Sequence, residues 1–117
     1  MNERMFKDRT KGFALSVIRF VDGLPRGRSA EILGRQLLRS ATSVGANYRA
    51  ACRGRSRADV VAKLSLVEEE ADESMYWMEL LAEGGFTPHG EVSALMAEAN
   101  ELVAMIVASI KALRTRR

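Results

Sequence analysis

One cysteine, Cys52, one histidine, His89, and two prolines, Pro25 and Pro88, are all that the 117-residue chain has of these types. A lone thiol can form no internal disulfide and supplies no thiolate cluster for zinc, so a reducing cytoplasm is the expected compartment. His89 has no serine or cysteine nucleophile that the sequence pairs with it, and it reads as a capping or solvent-facing residue. Aromatic residues make up 6% of the chain. None is interleaved with the basic stretches, which removes the usual means of stacking bases. No apolar run approaches a membrane span, and Met1 to Lys11 mixes both charge signs where a secretory signal would be apolar. Strand-like alternation is missing as well.

What is present is helical periodicity. A chain of this length suits a single domain, residues 1–117, with a core large enough to need neither disulfide nor metal. Phe6, Phe13, Val17, Phe20, Val21 and Leu24 recur at helical intervals and stop at Gly23 to Pro25. Leu33, Leu37, Val44 and Tyr48 carry a second series toward Cys52. Ser56 opens a third, with Asp59 three positions on as a capping-box carboxylate, and Gly84-Gly85 offers the left-handed residue that closes it. Thr87 and Pro88 restart the chain, proline being tolerated in a first helical turn. The last series runs from Val92 to Leu113, before a basic tail, Arg114 to Arg117, expected to fray. These signals predict helices over about 3–23, 29–52, 56–83 and 89–114, and the short connections predict an all-α, up-and-down antiparallel four-helix bundle.

Charge is unevenly spread. Arg26 to Arg57 holds eight arginines against Glu31, whereas Ala58 to Glu91 holds nine acids against Lys63. The two blocks either neutralise each other or leave a basic block for an acidic partner such as nucleic acid. At about 100° per residue, Leu33, Leu37, Ser40, Val44, Asn47, Tyr48 and Ala51 share the core side of the second helix. Arg35, Arg39, Arg49 and Arg53 fall nearly opposite, as an outer stripe that Arg55 and Arg57 extend. Gly34, Ala41 and Gly45 line up between these arcs and leave bare backbone for a close neighbour, in the same bundle or in another subunit. On the third helix Val60, Leu64, Val67, Ala71, Met75, Met78 and Ala82 form the core line. Leu66, Trp77 and Leu80 cluster on the far side, a second apolar line of the kind that marks a partner site. Homo-oligomerisation is its commonest use. The expected subunit interface is therefore Gly34, Ala41, Gly45, Leu66, Trp77 and Leu80.

Candidate chemistry is sparse. The acids Glu68, Glu69, Glu70, Asp72 and Glu73 lack the Glu-x-x-His pairing of carboxylate metal sites in bundles, so no metal and no cofactor is expected. Gln36, Ser40, Ser43 and Asn47 form a polar ladder that reads as structural, bonding locally and setting register. With no convergent pair of titratable groups, the chain reads as a non-enzyme.

The run from Gly34 to Asp59, with Gln36, Arg39, Ser43, Asn47, Arg55 and Ser56 among the apolar positions, resembles the four-helix bundle proteins encoded in intervening sequences of large-subunit ribosomal RNA genes. So does the run through Leu64 and Val67 to Glu79. The family's more usual Ile-Ala-Glu-Gly is here Tyr48-Arg49-Ala50-Ala51. The resemblance implies a ring-like homopentamer. It also implies likeness in fold to the accessory variability determinant of diversity-generating retroelements, which binds nucleic acid and a reverse transcriptase through a basic surface. The partners expected on that basis are the chain itself, RNA or DNA bound through Arg35, Arg39, Arg49, Arg53, Arg55 and Arg57, and a reverse transcriptase, with no membrane. A protein-interaction scaffold with charge-complementary subunits is the alternative.

Overall fold

Capping and punctuation place the helix ends within a residue or so of expectation. The computed structural model describes residues 2–116 and consists of α1 (Glu3–Asp22), α2 (Arg28–Cys52), α3 (Arg57–Glu83) and α4 (His89–Thr115). No strand occurs among the described residues. Asn2 caps α1 by accepting the Met5 N–H at 2.7 Å, and Ser56 caps α3 by accepting the Asp59 N–H at 3.1 Å. The Asp59 carboxylate accepts in return from the Arg55 N–H at 3.2 Å, one residue ahead of the position a capping box uses. Lys63 and that backbone bond hold the Asp59 carboxyl below its ordinary value. At the other end of α3, Gly85 takes φ +82, and the Phe86 and Gly85 N–H groups donate back to the Leu81 and Ala82 carbonyls at 2.9 and 3.1 Å. This is a Schellman closure. Pro88 occupies the cap position of α4 and not its first turn. Helix α4 stays regular through Thr115, where the tail was expected to fray; Arg117 lies outside the described residues.

Each helix packs antiparallel on the next, while α1 meets α4 sparsely, giving a rod of 51 × 20 × 20 Å. The core is built from the apolar lines read in the sequence, Phe6, Phe13 and Val17 on α1, Leu37 and Val44 on α2, Val67 and Met78 on α3, and Leu102 and Ile106 on α4, together with Leu81 of α3, which the sequence reading left out. Leu33, Val60, Met75 and Ala82 are only half-buried at its margin. Phe6 and Tyr48 meet with ring centroids 4.5 Å apart near one end. The polar ladder is satisfied within the chain. Ser40 and Ser74 share a hydrogen bond of 2.9 Å in the core, Ser43 donates to the Arg39 carbonyl, and the Asn47 amide donates to the Ser43 carbonyl.

The strip of bare backbone on α2 finds its neighbour in the same chain. A Cβ on Gly34 would lie 3.1 Å from Leu24 Cδ1 and 3.3 Å from Val21 Cγ1, and one on Gly45 would lie 3.1 Å from Thr10 Oγ1. Ala41 is fully buried. Gly34 and Gly45 therefore seat α1 and the turn after it, the same-bundle neighbour of the two that the strip allowed. A correction concerns α4. By length and composition it passes for a membrane-crossing helix, contrary to the expectation that no run approaches that length. Here Val92, Ala99, Leu102 and Ile106 are sealed in the core, and Glu98 is tied to Arg9 of α1 by two hydrogen bonds, one of 3.1 Å from Nε.

Candidate nucleic-acid interface

The six arginines expected to meet phosphate divide by environment. Arg35, Arg39, Arg49 and Arg53 all reach solvent from α2, and Arg55 and Arg57 do so from the short α2–α3 connection and the first residue of α3. Arg39 bonds Glu73 of α3 at 3.1 Å. Arg57 donates to the carbonyl of Arg116, across at the far end of α4. Among the described residues Arg35, Arg49, Arg53 and Arg55 have no carboxylate within salt-bridge distance. The neutralisation of α2 by α3 that the charge blocks allow is thus limited, within one chain, to the Arg39–Glu73 pair. Geometry explains the shortfall. The stripe lies on the outer face of α2, whereas a helix–helix seam brings together only flanking residues such as Arg39 and Glu73.

Glu70 stands apart in the acidic block. Its Oε1 is buried without a hydrogen-bond partner among the described residues. Burial first, then neighbouring Glu73, pushes its carboxyl above the ordinary range, with Arg39 pulling the other way. No group of three or more metal-ligating side chains that could hold an ion occurs among the described residues. His89 is exposed at the first position of α4. Cys52 is half-buried beside Tyr48, and burial holds its thiol above the usual value, the opposite of what activates a thiolate nucleophile.

The second apolar line on α3 is partly folded in. Trp77 packs against the core margin and donates its indole N–H to Glu73 at 3.2 Å, and Leu80 is half-buried. Leu66 remains 46% exposed, and Tyr76 is exposed further still at 54%. Tyr76 escapes a sequence reading because it follows the core line by one residue and sits beside acids. Also missed are Arg4, Lys7 and Lys11 of α1, which face Arg49 across a cleft between α1 and α2; their spacing of three and four residues was the available signal.

With this architecture in hand, comparison with known proteins is decisive for kinship. The family described as "23S rRNA-intervening sequence protein" matches residues 5–108. The chain belongs to that family. A solved relative of the 23S rRNA-intervening sequence proteins is a protein of unknown function from the S23 ribosomal protein family of Bacteroides thetaiotaomicron. It is 31% identical, with 95% of this chain and 99% of that one covered and a TM-score of 0.88. Curated proteins yield no match. The rRNA-intervening family thus accounts for the helix order and for the run from Gly34 onward that carries the resemblance.

Proposed function

We propose that the protein is a non-enzymatic, homo-oligomeric helical bundle that binds the phosphate backbone of RNA or DNA through the outer face of α2. The observation that carries this is the set of exposed arginines whose guanidinium groups have no carboxylate partner among the described residues, Arg35, Arg49, Arg53 and Arg55. Guanidinium groups left to solvent on one face are matched to phosphate, and copies in one assembly multiply weak contacts through effective concentration. A homopentamer is the assembly that the family likeness favours, and exposed Leu66 and Tyr76 on α3 supply apolar surface for it. The reading places the protein in the cytoplasm, with a reverse transcriptase as a further candidate partner.

The test is fluorescence anisotropy with duplex DNA and a structured RNA across a salt series. Affinity is expected to be nearly blind to sequence and to fall by about 10³-fold between roughly 50 and 200 mM salt. Absence of binding at low salt would sink the reading. The same exposed α3 surface favours a second reading, a scaffold for another protein. A purified oligomer free of nucleic acid by its 260/280 absorbance ratio, carrying one abundant co-purifying protein, would favour that instead.

A further inference from the structure

Between α1 and α2 runs a cleft of about 560 Å³. The glycine strip makes it. Gly45 lets α1 approach until Thr10 lies against bare backbone, and the small side chains of Ala14 and Ala46 line the groove beside it. Its rim carries Arg4, Lys7 and Lys11 from α1 and Arg49 from α2, against one lining carboxylate, Asp8. Asp8 meets Arg4 loosely at 3.7 Å with both side chains in solvent, and Lys7 is held by Glu3 at 3.0 Å. Among the described residues Lys11 and Arg49 have no acid within salt-bridge distance. A groove lined by an excess of one sign of charge focuses field on an anion inside it.

We infer that this α1–α2 cleft seats a stretch of phosphodiester backbone, so that α1 shares the nucleic-acid contact with the arginine stripe. The inference rests on the nucleic-acid reading above and adds a location and a second set of residues to it. Three features favour a nucleic-acid strand as occupant. Arg49 belongs both to the cleft and to the outer face of α2, which makes the two surfaces continuous. The cations at 4, 7 and 11 span about 10 Å of helix axis, room for about three phosphates at the 3.4 Å per-strand rise of a duplex. No aromatic side chain lines the groove, so it suits backbone and not bases.

The experiment compares duplex DNA and structured RNA binding, over a salt series, for the wild-type chain, Arg4→Ala/Lys11→Ala, Asp8→Asn and the stripe control Arg35→Ala/Arg53→Ala. Arg4, Asp8 and Lys11 are exposed, and an unchanged thermal midpoint and oligomeric mass check that each variant folds and assembles as the parent does. The cleft double variant is expected to lower the slope of log affinity against log salt by about 2, since each lost phosphate contact removes about 0.9. Asp8→Asn is expected to tighten binding. If the wild type binds with a steep slope that the cleft variants retain while the stripe control loses it, the cleft assignment is wrong and the broader reading stands. If the wild type does not bind at all, both fall. If the cleft variants change the assembled mass and leave nucleic-acid affinity alone, the groove is a protein contact and the inference is overturned.

Discussion

Ser40 and Ser74 face each other across α2 and α3, both fully buried; with two protons between them, one hydroxyl donates to the other while the acceptor of that bond donates to its own backbone carbonyl, Leu37 for Ser40 or Glu70 for Ser74. Removing one leaves its partner a remaining acceptor, so Ser40→Ala or Ser74→Ala alone is expected to cost about 1 kcal/mol. The double variant should cost less than the two singles together, because the bond between the two hydroxyls is lost only once. Chemical denaturation in a double-mutant cycle reads this, and strict additivity would mean the pair does not couple. Glu70 is the opposite case, a carboxyl whose buried oxygen lacks a partner among the described residues. Burial raises its folded-state pKa above that of the unfolded chain, so the folded protein holds the proton more tightly. Stability therefore falls as pH rises from the ordinary carboxylate range through the raised value, and above it the loss is complete. Glu70→Gln is expected to raise the melting temperature at neutral pH by a few degrees and to flatten that decline; a variant less stable than the parent at neutral pH would show that the charge is used.

Helix α1 is the element with most to lose. It packs on α2 through the glycine strip and touches α4 sparsely, where Arg9 forms a bidentate clamp on Glu98 and a contact to Glu101 at 3.4 Å. The hydrogen bond to Glu98 is the main reason the Arg9 guanidinium holds its proton more tightly than usual. Gly45→Val puts branched bulk where Thr10 Oγ1 and Cβ already stand 3.1 and 3.4 Å from a first added carbon. The neighbour includes α1 backbone, which cannot swing aside. A destabilisation of about 1–3 kcal/mol is expected from overpacking, with hydrogen exchange quickening first in α1. Unchanged α1 protection would mean that the helices separate there at no expense.

Across the molecule, the basic and acidic blocks of the sequence meet within one chain at Arg39 and Glu73. Arg35, Arg49, Arg53 and Arg55 of the basic block are exposed. In the assembly proposed above, one copy's α3 surface approaches a neighbour and the α2 face is left for phosphate. Light scattering on the purified chain is expected to give about five times its 12.9 kDa mass. Leu66→Glu, at an exposed site, is expected to shift that mass toward the monomer while the helical circular dichroism stays as in the parent. A monomeric parent at micromolar concentration would remove the assembly from the reading.

Helix limits were legible in the chain because they depend on neighbours three or four residues away: Ser56 caps, Gly85 turns left-handed, and Pro88 marks the start of the last helix. The core lines were legible for the same reason, since period alone orders residues around one axis. Period does not say which arc meets which partner. That required the four axes to be brought together, and it was this packing that covered Gly34 and Gly45 with α1 and the turn after it, laid Trp77 against the core margin, buried one face of an α4 apolar enough for a membrane, and set Arg4, Lys7 and Lys11 opposite Arg49. A groove between two helices belongs to neither sequence segment; it exists because the side chains of both, some forty residues apart, share one piece of space.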